Sequence, residues 1–448
     1  MKCGEINMRG FFKTALSLLL VLSFIISASS CTVSIVKTDG EETTEDAAKG
    51  DRLSFYGNEY KVVSVSATDS GSLDTISSYF GCPDDSLRVS GASFGGVYDA
   101  KDNTYTVRYT DASKSEYDSY VKKLVSGGMT LVKSYTLGAN SYCLLQSSAV
   151  SIYASYIKNV NEVRISIEKA GSYRYPTESL AEAEGSYAPT LWQLRVDNYT
   201  TQENGGMSYV FRLSNGHFVI LDGGYNTIGE AENLYRHLKA QLPEGEKPII
   251  DAWFISHLHG DHYGAFLAFS DIYDGDDVQV RGLYYNFPKI DSTALRKIRD
   301  AAAGWSGITV YEKLHTGMQL EFTGIDVSVV CTHEDIYPNA PIDNNDTATV
   351  LRIDVEGQRY MFLADCRDNQ SAAMIQSFKN TDVLKSDVVQ WSHHGYEGAT
   401  KALYETVDAD VILFPLNIIG WQENYKTNPQ DVFNQWYLKT NLDRKSVV

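Results

Sequence analysis

The chain has 448 residues, 43% of them hydrophobic, which is enough for two or three domains with cores of their own. Its 57 acidic against 39 basic side chains give a formal charge of -18; this disfavours nonspecific binding to nucleic acid, whose affinity rests on Lys and Arg neutralising phosphates. There is no Walker loop, no dinucleotide glycine fingerprint and no Gly-x-Ser-x-Gly elbow, so phosphate-cradling and serine-hydrolase chemistry have no support.

At the start, Lys2, Arg9 and Lys13 precede the apolar run 15–26, and small residues Ser27-Ala28-Ser29-Ser30 lead to Cys31. A charged start, an apolar core and a small-residue end read as a secretory signal peptide over residues 1–30, too short for a comfortable membrane span. The Cys directly after Ala-Ser-Ser resembles a bacterial lipoprotein box, which implies cleavage before Cys31, a lipid on its thiol and anchorage to the outer face of a membrane. Plain secretion is the alternative. Residues 31–52, with Asp39-Gly40-Glu41-Glu42-Thr43-Thr44-Glu45-Asp46, are polar and acidic and read as a flexible tether.

Residues 53–170 alternate short strands, such as 105–109 and 163–167, with one clear helix near 114–125. Tyr117, Tyr120, Val121, Leu124 and Val125 share a face of that helix, and Gly127-Gly128 stops it. This predicts a small α+β domain without a catalytic cluster, its tyrosines serving as half-buried packing. Cys82, Cys143, Cys331 and Cys366 are too scattered for a disulfide framework or a paired metal site. A Gly/Ser/Glu-containing connector with Pro176 spans 171–190.

From 191 to 448, strand-like and helical runs alternate, the sign of an α/β domain. Helical spacing predicts helices over 228–242, 292–303 and 371–378, with a last apolar strand at 411–415 and a further helix begun near Asn428-Pro429. Within the second helix, Arg296-Lys297-Ile298-Arg299 reads as a solvated face. Between the first two helices, the apolar strand 249–256 delivers Ser256-His257-Leu258-His259-Gly260-Asp261-His262. Neutral imidazole and carboxylate are ligands that borderline divalent metals accept, and three His plus one Asp exceed what one open catalytic ion requires. Two ions are therefore expected, with His257 and His259 on one and Asp261 and His262 on the other; zinc is favoured, with manganese or iron as alternatives.

His-x-His-x-Asp-His after a strand is the mark of the metallo-β-lactamase superfamily, which the chain resembles at three further stations. Gly216–Gly224 resembles its strand ending in Asp-Gly-Gly, and implies that Asp222 supports the metal loop by hydrogen bonding. Residues 358–365 resemble the strand whose terminal Asp365 bridges the metals. Residues 387–395 resemble the strand ending in the last His ligand; His393, first off the strand, is favoured, with His394 left to orient a ligand or touch substrate alongside Asp261. Much of the superfamily adds a third His to the first metal, for which His333 is a candidate, although Asn344-Asn345-Asp346-Thr347 lies where that ligand usually falls.

The Asn-Asn-Asp-Thr and His-His-Gly stretches resemble the hydrolase domain of the DNA-uptake competence channel and the secreted phosphorylcholine-esterase-like members. The resemblance implies an αββα sandwich and an extracytoplasmic hydrolase that attacks a phosphodiester or related ester through a metal-bridging hydroxide. The substrate expected is a small molecule or a cell-surface ester, with nucleic acid disfavoured by the charge. A lactonase or β-lactamase, and a non-catalytic surface binding lipoprotein, are the alternatives. His217, His237 and His315 read as packed, solvated and turn residues respectively.

Overall fold

The computed structural model describes residues 71–100, 102–196, 206–289, 291–337, 343–395 and 398–415, with short strands at 35–36, 42–43, 52–55, 58–61, 65–66 and 445–447. The expected signal peptide, Cys31 and the helix near Asn428-Pro429 lie outside the described residues. Residues 1–52 are one unit, in which β1 (Ile35–Val36) pairs antiparallel with β2 (Glu42–Thr43) inside the stretch expected to be a tether.

Residues 53–448 are the other unit. After a two-stranded pair, β3 (Arg52–Phe55) with β4 (Asn58–Lys61), comes an antiparallel sheet. Its strands are β5 (Val65–Ser66), β6 (Ser93–Asp99), β7 (Tyr105–Thr110), β8 (Thr130–Leu137), β9 (Asn140–Gln146), β10 (Val150–Ile157) and β11 (Glu162–Lys169), in the order β5-β6-β7-β11-β10-β9-β8. Helices α1 (Gly71–Phe80) and α2 (Lys114–Ser126) cover one face. A capping box starts α2 where the sequence predicts: the Ser113 side chain accepts from Glu116 N while Glu116 reaches back to Ser113 N. Side chains alternate across each strand, so Ile152 and Ala154 of β10 join Tyr117, Tyr120 and Leu124 under α2, while Tyr153 and Ile157 turn to the opposite face. That second face is buried as well, against the C-terminal core, so this domain is docked along a sheet and does not hang free.

The C-terminal domain has two further sheets. The first runs β12 (Thr190–Gln193), β13 (Ser208–Arg212), β14 (Phe218–Asp222), β15 (Ile249–Phe254), β17 (Gly282–Tyr284), β18 (Thr309–Tyr311), with β16 (Gln279–Val280) also beside β15. The second runs in chain order through β19 (Gln319–Phe322), β20 (Ile325–Cys331), β21 (Val350–Val355), β22 (Gln358–Phe362), β23 (Val388–Gln390), β24 (Val411–Leu413) and β25 (Lys445–Val447). Val219 and Leu221 of β14 meet Val327, Leu351 and Phe362 between the sheets. Phe218 and Ile220 point the other way, onto α3 (Ile228–Ala240), α4 (Gly260–Ile272) and α5 (Ser292–Ala303). Helices α6 (Asp368–Phe378) and α7 (Lys401–Val407) add Met374, Phe378 and Leu403 to the core that includes the second sheet. This is the expected αββα sandwich. Trp253, fully buried between β14 and α4, is among its largest core side chains; truncation to Ala would cost about 3–5 kcal/mol.

Pairing is parallel from β14 through β15 and β17 to β18, and again from β22 through β23 to β24. The loops after β14, β15, β22, β23 and β24 therefore leave from strand carboxyl ends, the place where open α/β sheets gather their ligands.

Candidate metal centre

The strand β15 ends at Phe254, and the next residues run into the first turn of α4, whose N-cap is His259. His259 makes no side-chain cap hydrogen bond, so its ring is not spent on the helix end. A close approach permits this turn: a Cβ on Gly264 would stand 2.3 Å from Asn226 N and 3.0 Å from Gly224 O, so only glycine lets α4 lie against the loop after Asp222.

Asp222 is fully buried at the end of β14 with φ 57°. Its Oδ1 accepts from Ser256 N at 2.7 Å; its Oδ2 accepts from Ser256 Oγ and from His262 Nδ1, each at 2.7 Å. That last bond turns His262 Nε2 inward, where it lies 3.1 Å from His394 Nε2, 3.3 Å from Asp365 Oδ1 and 3.7 Å from Asp261 Oδ2. His257 Nε2 lies 3.1 Å from His259 Nδ1 and 3.6 Å from Asp365 Oδ2. His394 Nδ1 is engaged by backbone, 2.9 Å from Pro415 O and 3.1 Å from Gly206 N, which leaves Nε2 as the ligand nitrogen, 3.0 Å from Asp261 Oδ2 and 3.5 Å from Asp365 Oδ2.

Two overlapping triads result, His257–His262–Asp365 and Asp261–His262–His394, with the ligand atoms of each within 4.8 Å of one another. The donor set suits zinc-like cations, and one atom asks for one: Asp365 Oδ1 is buried with no hydrogen-bond partner. Electrostatics agree. Burial opposes charge on His262, yet Asp365, Asp222 and Asp261 outweigh it and raise its pKa well above the usual imidazole value. His394 is pushed up to about 10 against its burial by the same kind of acidic neighbours. Burial would raise Asp261 and Asp365, but the cationic histidines beside them win and hold both below the ordinary carboxylate range. His257 and His259 are lowered, first by burial. The pocket is thus one that demands positive charge.

The structure brings together His257, His259, Asp261, His262, Asp365 and His394, with Asp222 behind them. It departs from the sequence expectation at His393, and it leaves the weaker candidate His333 outside the cluster. His393, favoured as the last ligand, sits at the rim: its side chain is 21% exposed, its Nε2 is 3.9 Å from Asp365 Oδ2, and that nitrogen accepts from Asn345 Nδ2 at 3.1 Å. The reason is backbone. His393 and His394 both adopt left-handed conformations, φ 49° and 52°, and this tight turn sends the second ring inward. His333 follows β20 away from the cluster; its Nε2 contacts Asn286 Oδ1 at 3.2 Å and its Nδ1 contacts Tyr98 OH at 3.4 Å.

Other side chains shape the site without a motif to announce them. Gln390 Oε1 accepts from Ala364 N at 2.6 Å and its Nε2 returns a bond to Ala364 O, fixing the residue before Asp365. Asn344 Nδ2 donates to Leu258 O at 3.0 Å, and Thr349 N to Ser256 O at 2.9 Å, so the Asn-Asn-Asp-Thr segment lies over the metal loop. His217 packs beside Asp251, His237 is half-buried against Trp192, and His315 is fully buried.

Residues 202–297, from before β13 to within α5, match the family model of the Metallo-beta-lactamase superfamily. No curated protein matches the sequence. Among solved structures, the metallo-beta-lactamase fold protein YhfI from Bacillus subtilis is similar at 11% identity and a TM-score of 0.35, over 56% of this chain and 93% of that one. Zn(2+)-bound PqqB from Methylobacterium extorquens is similar at 14% identity and a TM-score of 0.29, over 43% and 62%. A long form RNase Z from yeast is similar at 11% identity and a TM-score of 0.31, over 46% and 33%. The segment that the family model matches is the one that supplies Asp222, His257, His259, Asp261 and His262, so the C-terminal domain carries a Metallo-beta-lactamase superfamily segment and has the fold of a metal-dependent hydrolase.

Proposed function

We propose that the protein is an extracytoplasmic hydrolase of a phosphodiester or related phosphoester, small or cell-surface, held to the outer face of a bacterial membrane through Cys31. The observation that supports the two-ion part is the number of converging donors: the two triads together with His259, whose Nδ1 lies 3.1 Å from His257 Nε2, exceed what one open ion requires. His257 and His259 with Asp365 would hold one divalent cation, and Asp261, His262 and His394 with Asp365 the other. Such cations, zinc by donor type, supply a water acidic enough to ionise near neutral pH and a Lewis acid for the leaving oxygen.

The chain's own part is orientation and charge. Asp222 fixes the His262 tautomer, and backbone at Pro415 and Gly206 orients the His394 ring. Asp261, with its side chain 21% exposed, is the most open carboxylate of the cluster and is placed to hold a proton of the attacking water. The phosphoester preference is supported by the β20–β21 connection, which turns His333 away and lays Asn344 on the metal loop, in keeping with the phosphoester-cleaving members that the sequence resembles.

The test is a substrate panel at equal enzyme with zinc and with manganese. Bis-(p-nitrophenyl) phosphate or p-nitrophenyl phosphorylcholine should be turned over faster than nitrocefin, and long DNA should be a poor substrate that lower salt does not rescue. Efficient nitrocefin cleavage without phosphodiester turnover would overturn the assignment. For the anchor, Cys31→Ser should release the protein from the membrane fraction or block its processing, because a lipid chain contributes roughly 0.8 kcal/mol per buried methylene. Unchanged fractionation with normal processing would favour plain secretion.

A further inference from the structure

Asp365 lies three residues before α6, and the far end of that helix is held by the first domain. The last carbonyls of a helix have no partner within it. On α6 two of them are met by amides from the other domain: Asn140 Nδ2 donates to Ser377 O at 3.2 Å, and Asn159 Nδ2 donates to Ser377 O at 3.1 Å and to Lys379 O at 2.7 Å. Asn140 is fully buried, and its Oδ1 accepts from Lys158 N at 3.0 Å, so the amide is preset. The last turn of α6 has no basic side chain to do this work itself. Beside it, the β8–β9 turn is so close that a Cβ on Gly138 would stand 2.8 Å from Val383 Cγ2.

A second grip falls on the turn after β20. Arg164, from β11, pairs with Asp335 Oδ1, and Arg108, from β7, donates to Tyr337 O at 2.9 Å; Glu162 joins the two guanidiniums. Asp335 Oδ2 in turn accepts from Thr332 N at 2.9 Å and from Thr316 Oγ1. The short helical turn His333–Ile336 held in this way packs against α6.

We propose that the first domain is a positioning element of the metal centre, with Asn140 and Asn159 clamping the C-terminus of α6, and Arg108 and Arg164 clamping the turn packed on it, so that Asp365 is held at the helix's other end. This goes beyond the proposed hydrolysis and rests on the two-ion reading only in taking Asp365 as a ligand. The domain then acts on the reaction through metal retention and touches no substrate.

The test uses the full chain. The double variant Asn140→Ala/Asn159→Ala is compared with Leu73→Ala, a truncation of a buried α1 side chain in the core under that helix, on no strand that carries a clamp residue. Zinc affinity is read by competition with a chromogenic chelator, and Tm by calorimetry with and without zinc. The clamp variant should lose about 10-fold or more in affinity for its weaker-held zinc, the scale seen when groups behind a ligand are removed, and its Tm should gain less from zinc than that of the wild type. Leu73→Ala should lose Tm and keep the wild-type zinc affinity. If the two variants lose Tm and hold zinc alike, the clamps are merely structural and the proposal falls. A wild type that takes up no divalent metal would overturn the site reading and the proposal together.

Discussion

Among the described residues, two buried clusters of histidine and carboxylate stand out, and one of them has a donor set that suits metal. At the centre, Asp222, Asp261 and Asp365 face His257, His259, His262 and His394, and among the described residues no Lys or Arg pairs with those three carboxylates. At the joint between the domains, His315 and His333 lie with Glu168, Glu334 and Asp102, but Lys313 reaches Asp102 and Arg164 reaches Asp335. There Asp102 and Asp335 find fixed cations and His315 serves Glu334 and Glu168, so the lysine and arginine supply charge that the metal centre lacks. His333 shows the consequence: burial lowers its pKa to about 4, leaving a neutral ring hydrogen-bonded between Tyr98 and Asn286. Residue type is the same in both places; what differs is whether the protein itself supplies the positive charge.

The sharpest way to break this comparison is to remove the histidine common to the two triads. His262→Ala takes a nitrogen from both triads and leaves Asp365 and Asp222 without their nearest positive partner. Zinc content should fall first for the ion held with Asp261 and His394, and kcat/KM should drop by at least about a hundredfold, beyond the range found for groups that only support ligands. His333→Ala, at the joint, should leave zinc content and kcat/KM within about twofold while lowering stability by roughly 1–3 kcal/mol, since Asn286 Oδ1 and Tyr98 OH lose a buried partner. Elemental analysis and steady-state kinetics on the two purified variants decide it. Equal metal loss in both would mean the clusters are not distinct.

A finer cut separates neighbours. His394→Ala should empty the Asp261-side position, whereas His393→Ala should retain both ions and lose about tenfold in rate at most, as expected of a rim contact to the reacting region. Metal stoichiometry is the measurement. If His393→Ala is the variant that loses an ion, the inward placement of His394 is not the one the enzyme uses.

Much of the centre is legible from the chain because its ligands are local. Six residues at the end of one strand deliver His257 to His262, and Asp222 and Asp365 each announce themselves at the end of an apolar strand. The choice between His393 and His394 is not legible, because it is made by two left-handed backbone conformations in a row that neither histidine requires. Nor is the joint. His315 reads as a turn residue until Tyr153, distant in sequence, stacks on its ring at 4.4 Å, and the clamp asparagines have no periodicity or motif, since their partners are carbonyls at the end of a helix more than two hundred residues on. Sequence shows which strand face is apolar; it does not show that the first domain's second face is covered by another domain.

The smallest effect on turnover belongs to the joint's own titration. Burial raises the Glu168 carboxyl from its ordinary 4.5 to about 7, with His315 and Lys313 pulling it back only in part. A carboxyl raised on folding binds its proton more tightly in the native state than in the unfolded one. Its contribution is therefore fully present below pH 4.5 and is lost as pH rises towards 7. Glu334 runs the other way: burial would raise it, but His315 beside it holds it at about 2, so its contribution is present above pH 4.5 and lost as pH falls towards 2. The two windows do not overlap, and the difference between the wild type and a Glu168 variant isolates its part on the neutral side, where His333 and His315 also titrate. Glu168→Gln keeps the shape and removes the charge, so unfolding free energy measured by denaturant between pH 5 and 8 should decline less steeply than in the wild type, the difference being on the order of 3 kcal/mol at most. Turnover at pH 7 should stay within about twofold, because Glu168 contacts none of the metal ligands. A variant whose stability declines with pH as steeply as the wild type would show that the Glu168 carboxyl is already ionised at the joint, held by Lys313 as the acids of the metal centre are held by their histidines.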